Sequence, residues 1–232
     1  MKSPLWDATY GFGGNGPHLE MPPGPSPPNV PGRTGGGCVQ DGPFKDMVVN
    51  MGPGDNVSGN PRCLSRDFSP YIAATWSGAN MTKLNMKQPD FGWFARTVQG
   101  EPSIAQMGIH GGGHYSVGGS LGTMGDIYNS PSGESSYGLE YIGDLSSLQE
   151  PVFYLHHANL DRLWWSWQKQ DLARRLTDIS GPINHLDYDN TLGGNVTLSF
   201  GFGIGVNAPD VTIGDVMDIG AGVLCYDYDK LY

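Results

Sequence analysis

The chain has 232 residues and a net charge of −10 at neutral pH, and only 16% of its residues are charged. This acidic balance disfavours binding to nucleic acid or to an anionic membrane by general electrostatics. Its 36 glycines and 18 prolines predict a loop-rich protein, which we expect to fold as a single domain over residues 1–232.

Signals of cellular compartment are few. No apolar stretch approaches the ~20 residues that a membrane span needs, and the first residues lack the charged-then-apolar pattern of a signal peptide. Possible N-glycosylation sequons favour secretion and begin at Asn56, Asn80 and Asn195. The chain has three cysteines, Cys38, Cys63 and Cys225. An odd number favours a disulfide from one of them to a segment outside this chain. An upstream segment absent from this sequence would explain both the missing signal and the odd cysteine.

The first third of the chain predicts few regular elements. Residues 11–38 are too rich in glycine and proline for helix or strand and are predicted to be irregular. His18 lies there, and an isolated histidine in such a loop is normally solvated. Residues 44–50 and 68–77 are short and partly apolar, so either could be strand or helix.

Three helices are predicted in the remainder. Residues 89–99 have a proline at the start, Asp90 as a possible cap and aromatic residues on one face. A second helical pattern runs from Ser103 to His114. The most regular pattern covers residues 150–176, with apolar residues at helical spacing and arginines in the last turn. Residues 118–136 read as a loop, whereas short strands or extended segments are expected at residues 197–206 and 223–232.

The motif HGGGH carries the first chemical signal. His110 and His114 are four residues apart, so a helix aims both imidazoles at one point. Each interior glycine costs a helix about 1 kcal/mol relative to alanine. Metal coordination would offset that cost.

A second signal, HHANLDR, lies on the long helix. His157 and Asp161 share a face, so the carboxylate can accept the ring proton of the imidazole and leave its other nitrogen for a metal. His156 points about 100° away from that face. The three neutral imidazoles of His110, His114 and His157 suit copper or zinc and leave a coordination position open.

These motifs resemble the tyrosinases, catechol oxidases and molluscan-type haemocyanins. HGGGH followed by EPVFYLHHANLDRLWWSWQ is similar to the second copper-binding motif of that family, and this alignment also makes His157 the ligand and Asp161 its partner. The resemblance departs at Glu150, where the family usually has aspartate, although both can cap a helix. Tyr226-Asp227-Tyr228 resembles the tyrosine motif that closes the family's catalytic domain.

The resemblance implies a mainly α fold, a loop-rich helical bundle around a di-copper centre with short peripheral strands. It assigns Glu101, in Glu101-Pro102 nine residues before His110, to positioning a water that can deprotonate phenols; helix initiation is the alternative role. We also expect Phe153 to pack against a ligand ring, although simple core packing is equally compatible. Trp164, Trp165 and Trp167 are expected to be buried helix faces. Cys38 and Cys63 are expected to pair, leaving Cys225 to bond elsewhere.

The family's first copper site has no counterpart in this sequence. Three upstream histidines would be needed, and the histidines that remain are His18, His156 and His185. We therefore expect one of the two copper ligand sets, in a chain whose N-terminal region is missing or degenerate. The complete protein is expected to be secreted, and its oligomeric state is left open.

Three functions are compatible with these residues. The first is copper-dependent oxidation of phenols or o-diphenols to o-quinones by O₂, with a small phenolic substrate and no nucleic-acid or membrane partner. The second is a non-catalytic relative that binds one metal or none and serves as a binding or structural module. The third, a zinc hydrolase, fits the ligands but offers no better general base than Glu101.

Overall fold

The computed structural model describes residues 2–20, 30–51, 58–101, 104–118, 149–184, 187–203 and 209–232. Within these residues the regular structure is mostly helical, in six α-helices: α1 Pro70–Trp76, α2 Ala79–Met86, α3 Phe91–Gln99, α4 Gly108–Val117, α5 Pro151–Lys169 and α6 Leu172–Arg175. The mainly α prediction with short strands is confirmed. No helix in the described part of the chain is long and apolar enough to cross a membrane.

The strands of the described residues form two small antiparallel ladders. In one, β1 (Val48–Val49) pairs with β2 (Arg62–Cys63), and in the other β3 (Gly201–Phe202) pairs with β4 (Val211–Thr212). A disulfide joins Cys38 to Cys63, which confirms the expected pairing.

Two compact units are distinguished within the chain. One comprises Met1–Met81 with Gly100–Ala158, and the other comprises Thr82–Gln99 with Asn159–Tyr232. The assignment of one domain to residues 1–232 stays a prediction.

The first unit is organised around α1 and α4. Ser69 caps the start of α1, since its hydroxyl accepts a hydrogen bond from the N–H of Ile72. Ile72 is buried with Met107 and Tyr115 in one apolar cluster. A second cluster of Phe68, Val117 and Val152 lies where α4 ends and α5 begins. The apolar contacts therefore fix the ends of the two helices that carry the histidines.

The second unit has an aromatic core. Phe94 and Trp167 are buried with ring centroids 5.0 Å apart. The Trp167 indole N–H donates to the carbonyl of Gln88 over 2.8 Å, which satisfies its polar atom inside the core. Trp165 is equally buried, so the prediction of buried tryptophan faces is confirmed for these two residues, whereas Trp164 is only partly buried.

Several element boundaries differ from the predictions. Residues 68–77 contain helix α1, and α2 was not predicted at all. The helix predicted from Ser103 is a 3-10 turn, Ile104–Gln106, followed by α4, because Gly108 has a φ of 60° that interrupts a continuous helix.

The long helix predicted over residues 150–176 ends at Lys169. Asp171 has an extended φ of −156°, and α6 begins after it. The described strand within residues 197–206 is only β3, and residues 223–232 contain no strand. Side-chain hydrogen bonds, rather than a ladder, hold that last segment.

Candidate metal centre

Helices α4 and α5 bring four histidine rings together within the first unit. His110 and His114 come from α4, and His156 and His157 come from α5. The ring centroids of His110 and His114 are 4.8 Å apart, and each lies 5.3 Å from that of His157. Four imidazoles at these spacings form a donor set for a soft or borderline metal ion.

The α4 pair has the geometry of two ligands on one ion. The Nε2 atoms of His110 and His114 are 3.1 Å apart, and both residues are buried. Two nitrogens about 2.0–2.1 Å from one metal, with an angle of roughly 95–110° between the bonds, lie about 3.0–3.4 Å apart. A hydrogen bond between a donor and an acceptor tautomer would give the same spacing. The pair thus fits a metal without requiring one.

His156 lies inside this cluster, and the expectation that it faces away is wrong. Its ring stacks beside that of His110 with centroids 5.8 Å apart, and its Nε2 is 3.0 Å from the His110 carbonyl oxygen. An Nε2–H donor fits this contact and would leave Nδ1 for a ligand. Burial, followed by the nearby His114 and His157, lowers the pKa of His156 to about 3, so the ring is neutral at physiological pH.

His157 has the buried nitrogen that a metal would explain. Its Nε2 has no hydrogen-bond partner among the described residues, which is costly for a buried polar atom. Burial lowers the pKa of His157 and favours the neutral form that metals bind. The Phe153 ring lies 4.2 Å from the His157 ring, which confirms the predicted packing on this histidine.

Two residues compete for the place of third ligand. The ligand nitrogens of His110, His114 and His156 all lie within 4.8 Å of one another. His157 offers the unpartnered nitrogen and its predicted aspartate partner, whereas Nε2 of His156 is already engaged by a carbonyl oxygen. The donor set fits copper or zinc with either choice.

The three glycines of HGGGH are not equivalent. A Cβ at Gly112 would collide with Trp76 of α1, and a Cβ at Gly113 would overlap the ring of His156. At Gly111 a Cβ would stand 3.0 Å from Cβ of Met107, the residue before α4, and would meet no histidine ring. Two of the glycines therefore admit neighbouring groups to the surface of α4.

Asp161 lies on α5 one turn beyond His157 and holds two tyrosines. The hydroxyls of Tyr226 and Tyr228 donate to its Oδ2 atom over 2.7 and 2.6 Å. Burial, then these hydrogen bonds to Asp161, raise the pKa of both tyrosines. This links the predicted tyrosine motif to α5, while the role of Asp161 as partner of His157 stays a prediction.

Glu101 lies just before the 3-10 turn and is partly buried. Its backbone N–H donates to the Gln106 carbonyl over 2.6 Å, and Gly100 supports this turn with a φ of 79°. Its role in positioning water stays a prediction. His18 is exposed, with Nε2 3.4 Å from a Glu20 oxygen, while Pro102 and His185 lie outside the described residues.

One pair of buried charges at the start of α5 was missed from the sequence. Arg66 and Glu150 are both fully buried and share two hydrogen bonds of 2.9 Å. Glu150 had been considered only as a cap, and its Oε1 does accept the Val152 N–H over 3.1 Å. Nothing around Arg66 in the sequence signals that its partner lies 84 positions away.

A family model described as the common central domain of tyrosinase matches residues 1–170. N-acetyl-6-hydroxytryptophan oxidase of Emericella nidulans is 33% identical to this chain, with 86% of the chain and 54% of that protein covered. Tyrosinase P of Aspergillus terreus is 30% identical, with 86% and 53% covered. The chain spans about half the length of these curated relatives.

A solved structure has a similar fold. It is a variant of polyphenol oxidase from Thermothelomyces thermophila, 32% identical, with a TM-score of 0.75 over 98% of this chain and 62% of that one. The likeness confirms the predicted fold class beyond its helix content.

Proposed function

Because this chain belongs to the tyrosinase family, we propose that it carries one copper site of a phenol-oxidising enzyme, with His110, His114 and His157 as ligands. The observation that supports this most is the convergence of buried imidazoles, with the His110 and His114 Nε2 atoms 3.1 Å apart. Buried neutral imidazoles suit copper, and family membership favours copper over zinc and over the hydrolase reading.

Copper bound by these imidazoles would supply oxidation of a phenol or o-diphenol to an o-quinone at the expense of O₂; for a diphenol, two molecules and one O₂ give two quinones and two waters. The protein's own residues shape the site and take up the phenolic proton. We assign the missing side chain at Gly111, the residue after His110, to substrate access, and the Phe153 ring, 4.2 Å from the His157 ring, to restraining that ligand. Glu101 is proposed to hold a water that accepts the phenolic proton.

The proposed substrate class is a small planar phenol. One relative is named as an oxidase of N-acetyl-6-hydroxytryptophan, whose ring is itself a hydroxylated aromatic. Catechol, a monophenol and a hydroxyindole therefore form a suitable test panel.

A one-metal, non-catalytic relative is the second candidate. Four of the five histidines in the described part of the chain lie in the cluster, and the other, His18, is exposed beside Glu20. A second set of three imidazoles is thus not assembled by those residues. A module that binds a single metal would be the result.

Copper content and oxygen consumption test both candidates. The full chain is loaded with copper, freed of excess and assayed for metal per chain and for O₂ uptake with the three phenols. O₂ uptake with any of the three phenols by the copper-loaded chain supports the oxidase. About one ion without turnover supports the second candidate, and no copper retention contradicts both.

We further propose that the protein works in an oxidising compartment and is secreted. The Cys38–Cys63 disulfide supports this, because such bonds persist mainly outside the cytosol. Detection of the intact disulfide in protein recovered from culture medium tests it, whereas reduced protein confined to cell extracts contradicts it.

A further inference from the structure

We propose that Arg66 is a positioning residue for the metal centre, acting through a segment, Arg66–Ser69, that ties the start of α5 to the end of α4. This inference rests on the proposed metal site, since it concerns how the imidazoles are held in register. Arg66 lies outside the histidine motifs, and its role follows from the contacts of its side chain and of the three residues after it.

The first contact fixes α5. The Arg66 guanidinium grips the Glu150 carboxylate through two parallel hydrogen bonds, Nε to Oε2 and Nη2 to Oε1, both of 2.9 Å. Glu150 precedes the first residue of α5 and also accepts the Val152 N–H, so its position sets where this helix begins. His156 and His157 follow within two turns.

The second set of contacts fixes α4. The backbone N–H of Asp67 donates to the Val117 carbonyl over 2.9 Å, and that of Ser69 donates to the Ser116 carbonyl over 3.0 Å. These are the last residues of α4, so the segment occupies carbonyls that the helix itself cannot satisfy. His114 lies only two residues earlier.

Between these bonds the segment closes an apolar contact. The Phe68 side chain is buried with Val117 of α4 and Val152 of α5, and Phe153 packs against this cluster. Neighbouring residues of one short segment thus touch both ligand helices. A shift of the segment would move the α4 and α5 imidazoles relative to each other.

Arginine is required at this position for a geometric reason. Besides the two bonds to Glu150, its Nη1 donates to the carbonyls of Phe12, Gly13 and Gly14 over 2.8, 3.0 and 3.2 Å. A lysine ammonium keeps the charge but cannot present a planar fork and a third donor in these directions. Arg66→Lys therefore separates geometry from charge.

The test compares R66K with a matched core variant, V49A. Val49 is fully buried with Val39 and Leu64 in a cluster separate from those at the ends of α4 and α5. Because a buried charge left without its partner is strongly destabilising, R66M/E150M is made as well, to remove both charges together. Each full-length variant is titrated with Co²⁺ and followed by its visible spectrum, and the imidazole NMR resonances are recorded without metal.

We expect R66K to weaken Co²⁺ binding about tenfold or more and to alter the Co²⁺ spectrum, as supporting residues of metal sites do. The imidazole resonances of metal-free R66K should shift, while V49A keeps native affinity and resonances at comparable loss of stability. If R66K and V49A are indistinguishable in these readouts, the inference is overturned.

Two further outcomes concern a native chain that binds no metal and an R66K variant that does not fold. Should the native chain bind no Co²⁺ and no copper, the proposed function fails, and the metal-free resonances alone judge the role of Arg66. If R66K does not fold, R66M/E150M is judged by the same criteria. If the folded double variant keeps native Co²⁺ affinity and native imidazole resonances, the Arg66–Glu150 pair contributes to stability only, and the inference is overturned.

Discussion

The imidazole of His156 lies directly against the backbone of Gly113, in the space that any other side chain at position 113 would occupy. The contact joins the two ligand helices, and the His156 Nε2 approaches the His110 carbonyl oxygen one turn away. The glycine that weakens α4 as an isolated helix is therefore the residue that allows α5 to contribute a ring there.

This relationship predicts unequal effects of alanine in the motif. Gly113→Ala should lower stability and metal affinity despite the roughly 1 kcal/mol gain in helix propensity, because its methyl group displaces His156. Gly111→Ala is the matched control and should have the smaller effect on both quantities, since its methyl group meets Met107 and no histidine ring. Chemical denaturation and copper titration measure both, and equal effects at the two positions would count against the assignment.

Removal of single histidines identifies the ligands. His110→Ala, His114→Ala and His157→Ala should each abolish stable copper binding, because each removes a direct donor. His156→Ala should retain one copper per chain with an affinity about tenfold weaker, since His156 holds the His110 backbone and is not itself assigned as a ligand. His18→Ala should match the native chain. If His157→Ala keeps copper and His156→Ala loses it, His156 is the ligand and His157 the supporting residue.

The disulfide should contribute measurably to stability. Cys38 and Cys63 are 25 positions apart, and closing a loop of that length stabilises a fold by about 3 kcal/mol in the chain-entropy model. Cys38→Ser/Cys63→Ser should lose roughly that amount of unfolding free energy in chemical denaturation.

Cys225 is exposed and not part of a disulfide, so it should react with iodoacetamide in native protein. Alkylation of all three cysteines without reductant would refute the pairing.

The tyrosines on Asp161 predict a loss of stability at alkaline pH. The folded protein raises the pKa of Tyr226 and Tyr228 through burial and the Asp161 carboxylate. A raised pKa favours the neutral phenol in the native state, so this stabilisation is complete below the ordinary value of about 10 and is lost as pH rises beyond it. Unfolding free energies measured from about pH 8 to pH 11 should fall over the upper part of that range.

Two variants control the tyrosine experiment. Asp161→Asn should bring the phenolate absorbance change of both tyrosines to lower pH, because it removes the negative charge. Tyr226→Phe/Tyr228→Phe should abolish the late phase of that titration. An unchanged late phase in the double variant would assign it to other tyrosines.

The sequence predicted the local parts of the site well. Four-residue spacing sufficed to place His110 and His114 on one face of α4, and Glu150-Pro151 marked the start of α5. Phe153 was correctly predicted to pack on His157 for the same reason, because helical neighbours at this spacing face one another.

Helical periodicity gave wrong predictions where the backbone conformation of one residue, or a residue distant in sequence, determines the structure. Gly108 takes a positive φ and splits the helix predicted from Ser103, which composition does not reveal. His156 was excluded by its 100° offset on the helical wheel. That criterion does not consider that Gly113 has no side chain. The His156 ring, although it lies off the face of α5 that carries His157, can therefore still reach the backbone of α4.

By itself the sequence determined the helical class, the α4 histidine pair and the histidines that α5 offers, since these follow from spacing along one chain. Only the tertiary structure decided that His156 enters the cluster, that two glycines admit Trp76 and His156, and that Arg66 meets Glu150. Those facts depend on contacts between segments far apart in sequence, where burial and steric fit select partners that no local pattern encodes.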